Sequence, residues 1–291
     1  MTQSLLDRRP DDPQPMRFTE RDGYILEAIH AFDGMLSDFQ VMRLLFNPHT
    51  GLRQARHRLG LLWQHGYVAR PSRRRRASLP CMVYWLDEKG AEYVASLSGQ
   101  DLREFSWRKP GSRWSLIEHD LIVNDFRIAV MEACGANPEL VLEEWIPSSE
   151  FWAYPDAVEY DDGSGKKLTR RVRPDAYFVI RGREYRMRLL LELDRGTEDN
   201  PRFVRDKVRP GLAYLRSKGY ENRFGARSGR ILVVTNGNRR MANMKRQAEV
   251  AAGDDAKVFY FTTLEAVKPE TVLTAPIWYR GGDESPIPLF S

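Results

Sequence analysis

Cysteine is nearly absent from this chain, and so are the residue spacings that commonly bind zinc. Its 291 residues include two cysteines, Cys81 and Cys134, far apart in sequence. Alone they cannot make a zinc site, and they fit reduced thiols in a cytosol. The five histidines fall into no HxH or HExxH spacing, which argues against metal binding by imidazole. No apolar run approaches the ~20 residues that cross a bilayer. The opening MTQSLLDRRPDDPQP is too polar for a secretion signal. These absences predict a disordered tail over 1–16 and a cytoplasmic protein with no membrane partner.

Acidic residues are missing from one long stretch. Between Asp38 and Asp87 there is none, while Arg43, Arg53, Arg56, Arg58, Arg70 and Arg73–Arg76 supply nine arginines. A merely solvated surface interleaves acids with bases. An acid-free arginine block is the footprint of a surface that sits on phosphates. The net charge is only +5, so the signal lies in the distribution. With 42% hydrophobic and 29% charged residues, the composition is that of a globular protein long enough for two domains.

The first domain, expected over 17–105, is written in short helices. TERDGYILEAIHAF repeats apolar residues at helical spacing, with Thr19 as N-cap. A second helix is expected over Leu36–Phe46, stopping at Asn47-Pro48. A third, TGLRQARHRLGLLWQHG, has the apolar stripe Leu52, Ala55, Leu59, Leu62 and Trp63. Its outer face then carries Arg53, Gln54, Arg56, His57 and Arg58. The strands YVAR and MVYWL flank PSRRRRASLP, which predicts a hairpin tipped by Arg73, Arg74, Arg75 and Arg76. LDEKGAEYVASL closes the domain as a helix. Three helices and a basic hairpin spell a winged helix-turn-helix, its third helix suited to a major groove and its wing to phosphates. Double-stranded DNA is the implied partner.

FSWRKPGSRWS reads as the linker to a second domain over 112–291. SLIEHDLIVNDFRIAVMEACG is an apolar helix, EEWIPSSEFWAY a strand, and DDGSGKK a loop. AYFVI and EYRMRLLLEL form a hairpin around Arg181-Gly182-Arg183. A helix starts at Asn200-Pro201 and is kinked or broken at Pro210-Gly211. RILVVT, RRMANMKRQAEVAAG and KVFYFT then alternate as a βαβ unit. The expected class is α/β (α+β), with a mixed sheet.

The hairpin carries the chemistry. A turn at Gly182-Arg183 puts Asp175 opposite about residue 190 or 191, within a residue or two of Glu192. Glu192 and Asp194 share one strand face. Three carboxylates gathered so suit Mg2+ or Mn2+, which activates water against a phosphodiester. Pro155-Asp156 leads into VEYDDGSG rather than a strand and is discounted.

Pro174-Asp175, a hairpin, and Glu192-Leu193-Asp194 resemble the PD-(D/E)XK nuclease superfamily. In that pattern the Asp and Glu hold metal and a lysine orients the attacking water. Here the lysine slot holds Asp194, and Lys207, on the next helix, or Arg195 is the group that could compensate. The layout also resembles the replication-relaxation family of plasmids and mobile elements. The residues that carry this likeness are Ile117-Glu118-His119-Asp120, Pro174-Asp175, Glu192–Glu198 and Lys207. The resemblance implies a winged helix joined to a restriction-endonuclease-like domain, with Glu118 as an extra metal-facing carboxylate.

Three readings compete. The first is a DNA-binding protein acting in plasmid replication, relaxation or mobilisation, beside replication or mobilisation proteins, with a degenerate nuclease-like domain. The second is a Mg2+-dependent DNA endonuclease with a shifted lysine. The third is a winged-helix transcriptional regulator. The Asp194 departure favours the first.

Overall fold

The computed structural model describes residues 6–47, 50–196 and 200–290, and the chain forms two compact units that divide between Ile128 and Ala129. In the first unit come α1 (Glu20–Ala31), β1 (Met35–Ser37), α2 (Asp38–Leu45) and α3 (Gly51–Gln64). They are followed by β2 (Val68–Ala69), a single helical turn α4 (Arg73–Arg76), β3 (Val83–Leu86) and α5 (Glu88–Leu97). The strands make a small antiparallel sheet in the order β1–β3–β2.

Local chemistry explains these boundaries. The backbone N–H and hydroxyl of Thr19 both donate to the Asp22 carboxylate, closing the start of α1. The second helix was expected from Leu36 but begins at Asp38. Ser37 and Gln40 form a reciprocal capping box at 3.1 and 3.0 Å, which fixes the N-terminus there and leaves Leu36 to pair with Tyr84 in the sheet. Ile25, Ile29, Val41, Ala55, Leu59 and Leu62 are fully buried in one cluster, so the apolar stripes of three helices meet as their spacing requires. Gly90 permits α5 to pass the chain at Tyr67, whose carbonyl would lie 2.1 Å from an added Cβ.

Two expectations change here. Residues 6–16, expected as part of a disordered tail, are tied down from Leu6 onward. Asp7 accepts an ion pair from Arg70 at 2.8 Å, Leu6 bridges Pro71, and Arg9 donates to the Trp63 carbonyl at 2.7 Å. The division between units also falls inside α6 (Ile117–Ala136) and not at Pro110-Gly111. Ile117 and Leu121 pack with Met35, Val83 and Trp85, and Asn124 donates to the Met35 carbonyl at 2.8 Å. The first half of α6 therefore belongs to the first core.

The second unit continues with β4 (Val141–Pro147), α7 (Ser148–Ala153), β5 (Asp156–Asp161), β6 (Lys167–Val172), β7 (Ala176–Arg181) and β8 (Arg186–Asp194). Then come α8 (Asn200–Phe203), a π-helical turn Val204–Val208, α9 (Arg209–Leu215), α10 (Lys218–Phe224) and β9 (Arg230–Thr235). α11 (Asn238–Ala252), β10 (Phe259–Thr263) and β11 (Tyr279–Arg280) complete it. The sheet runs β11–β10–β9–β8–β7–β4. β8, β9 and β10 are parallel, while β4, β7 and β11 join antiparallel. This is a mixed α/β architecture, and the predicted β9–α11–β10 unit is present.

EEWIPSSEFWAY divides into β4 and the short helix α7 rather than one strand. Pro155-Asp156 does open a strand: β5 pairs with β6 in a separate two-stranded sheet, which the Gly- and Ser-containing turn between them permits. The helical path after β8 is not ended by Pro210. A proline removes one backbone donor, and the π-turn just before it loosens the spacing so that the path carries on into α9.

Candidate functional site

On α3, Arg53, Gln54, Arg56 and His57 are exposed, as their place opposite Ala55, Leu59 and Leu62 dictates. Arg58 is not part of that outward face. It is 21% exposed and pairs with Asp22, which has no exposure at all, because a buried carboxylate must be met by a donor. Arg56 donates to the buried Asp38 at 2.6 Å and lies 5.4 Å over the Phe39 ring. Arg43 pairs with Asp125 and Arg70 with Asp7. Four of the nine block arginines thus meet acids that lie outside the block in sequence, which a linear scan cannot see.

Arg73–Arg76 do join β2 to β3, but on one helical turn rather than a plain hairpin tip. Arg73, Arg74 and Arg75 are exposed and Arg76 is half-buried. Arg75 lies 5.5 Å over the Trp114 ring.

In the second unit the turn Gly182–Tyr185 is closed by a 2.9 Å hydrogen bond, with Arg181 facing Arg186. The register therefore slides slightly beyond the sequence estimate. Ala176 faces Leu191, the Asp175 N–H donates to the Leu191 carbonyl at 2.9 Å, and the next pair in line is Asp175 and Glu192. Directly opposed antiparallel residues have Cα atoms about 4.5–5.5 Å apart. Asp175 Oδ2 also accepts the Leu193 N–H at 2.7 Å, so this carboxylate holds the end of the hairpin in shape.

Glu192 and Asp194 lie on the β8 face that carries Leu190. Leu190 packs with Phe203, Val208 and Met241, so the helical path from α8 to α9 and α11 cover that face. Each carboxylate meets a base from that layer. Lys207, on the π-turn, pairs with Glu192. Arg240, on α11, pairs with Asp194, whose Oδ2 also accepts the Thr235 hydroxyl at 2.6 Å. Burial alone would raise the Asp194 carboxyl, but the hydrogen bonds from Arg240 and Thr235 outweigh it and hold the group below the usual carboxylate range.

The expected gathering of three carboxylates does not form. Among the described residues no three His, Cys, Asp or Glu side chains lie close enough to hold a metal ion. Asp194 is held instead in an ion pair with Arg240, and Glu192 in one with Lys207. Glu118 stands on the first turn of α6, in the first unit, where it is half-buried. Glu198 lies outside the described residues.

Sequence reasoning did not single out Arg240 or Asp206. Arg239 and Arg240 occupy the first turn of α11, where the helix dipole disfavours cations. That misplaced charge was a readable demand for a carboxylate partner. Asp206 precedes Lys207, and its side chain is 5% exposed beneath Arg170, Arg202 and Arg205. Desolvation pushes its carboxyl up, but the Arg205 hydrogen bond and the Arg170 charge prevail and the net shift is downward. Asp156 accepts from the Tyr214 hydroxyl and from Arg223, so the discounted second Pro-Asp pair has a structural task.

A pH prediction follows from Asp194 and Asp206. Both are held below the unfolded carboxylate value of about 3.9. The stability they contribute is therefore complete above that value and lost as pH falls through their lower folded values. Thermal unfolding followed from pH 7 down to about 3 should show a steep fall below about pH 4, flattened in Asp194→Asn/Asp206→Asn. An unaltered acid slope in that variant would remove both carboxylates from the acid response.

The family model described as replication-relaxation matches residues 26–228, more than half of the chain. No curated protein and no solved structure matches it.

Proposed function

The chain belongs to the replication-relaxation family, and from that membership we propose that it is a cytoplasmic DNA-binding protein of a mobile element. It acts in plasmid replication, relaxation or mobilisation, alongside other proteins of those processes. The first unit is read as a winged helix-turn-helix: α1, α2 and α3 are its helices and the β2–β3 connection its wing. The observation that carries this reading is the pairing of two exposed basic surfaces in one unit. α3 presents Arg53, Gln54, Arg56 and His57, and α4 presents Arg73, Arg74 and Arg75. Arg53 and Gln54 have donors that suit guanine and adenine edges, while α4 suits phosphates.

The second unit is read as a restriction-endonuclease-like domain that serves chiefly as a scaffold. One observation favours the rival reading of a Mg2+-dependent endonuclease: Lys207 reaches Glu192 from the following helical turn, where a shifted lysine would have to stand. The donor set is a modest fit to a divalent cation. Asp175 and Glu192 are two carboxylates, and Mg2+ accepts sites of one or two carboxylates completed by water and substrate phosphate. Such an ion would polarise the phosphodiester and acidify an attacking water. The chain's own residues would position the duplex and supply the Lys207 ammonium.

The test incubates the full chain with linear and supercoiled duplex, in chelator and in Mg2+ or Mn2+. Duplex should be retarded in chelator at low salt, with slow nicking or none when metal is added. Arg53→Ala and Gln54→Ala should shift preference among duplex sequences. Failure of the wild type to retard any duplex would overturn the reading.

A further inference from the structure

We propose that the second unit holds an unpaired base of single-stranded DNA against Trp152, next to the Asp175–Glu192 pair. This rests on the DNA-binding reading and names the substrate class of the second unit.

Helix α7 is anchored by Phe151, which is fully buried, yet the next residue, Trp152, is 52% exposed and Tyr154 is 72% exposed. Such rings lose free energy in water unless something covers them. The Arg173 guanidinium lies 3.9 Å over the Trp152 ring. The Nε of Arg173 is buried and makes no hydrogen bond among the described residues, so stacking on the indole sets its position. With the Arg173 guanidinium stacked on the ring, the half of Trp152 that stays exposed is indole surface on which a base can stack.

Charge selects the occupant. Arg171 is exposed two residues before Arg173, which stacks on the indole. An aromatic plate stacked on one arginine, with a second arginine two residues away in sequence, suits a base with its flanking phosphates. In a duplex the bases cover one another, so only an unpaired base can stack here. Arg173 is two residues before Asp175, about 7 Å along an extended chain. A base on Trp152 would therefore sit against the arginine that leads, two residues on, into Asp175.

The experiment measures binding of the full chain to a fluorescently labelled, mixed-sequence single strand and to its duplex. Trp152→Ala should weaken single-strand binding about tenfold, leave duplex binding within about twofold, and leave thermal unfolding nearly unchanged. Trp152→Phe keeps a stacking ring and should recover most of the single-strand affinity. Equal single-strand affinity in wild type and Trp152→Ala overturns the proposal, as does a Trp152→Phe protein as weak as Trp152→Ala. If the wild type binds duplex and Trp152→Ala leaves single-strand affinity intact, this inference alone fails. A wild type that binds neither nucleic acid fails the DNA-binding reading as well.

Discussion

Replacing Arg73–Arg76 with alanine is expected to lower duplex affinity by several hundredfold at about 0.1 M salt. Each phosphate neutralised by a fixed cation contributes a slope of about −0.9 to log K against log salt. Relative to 1 M salt, that is roughly eightfold per contact at 0.1 M. Arg73, Arg74 and Arg75 are exposed, so three contacts give a loss of roughly 500-fold and a slope shallower by about 2.7. The turn they occupy buries none of its residues, so thermal unfolding should barely move. Arg58→Ala should behave in the opposite sense. Arg58 meets Asp22, a carboxylate with no exposure, and removing one partner of a buried pair costs on the order of 3 kcal/mol. Titrations of both variants at several salt concentrations, beside thermal melts, separate the two roles. An unchanged salt slope in the α4 variant would remove α4 from the interface.

That contrast also marks what the linear sequence could convey. Helical spacing located α1, α2 and α3, because three apolar stripes that must be buried leave few alternatives. Alternation of strand and helix gave β9–α11–β10, and the hairpin turn brought Asp175 to Glu192 within two positions of the estimate. What the sequence hid were the partners of its charges. Asp22 lies 36 residues from Arg58, Asp194 lies 46 from Arg240, and no local pattern links either pair. The start of α2 was misread because the Ser37–Gln40 box was passed over in favour of apolar periodicity. β5 was missed because VEY runs straight into the turn residues DDGSG, which hid its strand alternation until β6 supplied basic partners such as Lys167, 3.0 Å from Glu159.

Lys207→Ala is expected to raise affinity for Mn2+ while removing whatever DNA cleavage the chain performs. The sequence alone placed an uncompensated Asp194 where an incoming phosphodiester would meet its negative charge. Arg240 offsets the charge of that carboxylate and the Thr235 hydroxyl donates to it, so the electrostatic objection to cleavage is weaker than the lysine-to-aspartate departure implied. A different obstacle replaces it. Glu192 is engaged by the Lys207 ammonium, and Asp175 gives one oxygen to the Leu193 N–H. A divalent cation must therefore compete with a fixed lysine for one of only two carboxylates, and weak binding follows. The same ammonium is the group able to offset charge on the phosphate, and losing one such donor costs about 10²–10³ in rate. One substitution thus drives binding and turnover in opposite directions. Mn2+ titration followed by spin resonance, with nicking of supercoiled DNA on the same samples, reads both. Asp175→Asn and Glu192→Gln should lower both together. A Lys207→Ala protein that binds Mn2+ no better than wild type would separate Lys207 from the carboxylates. One that still nicks at the wild-type rate would exclude it as the shifted lysine.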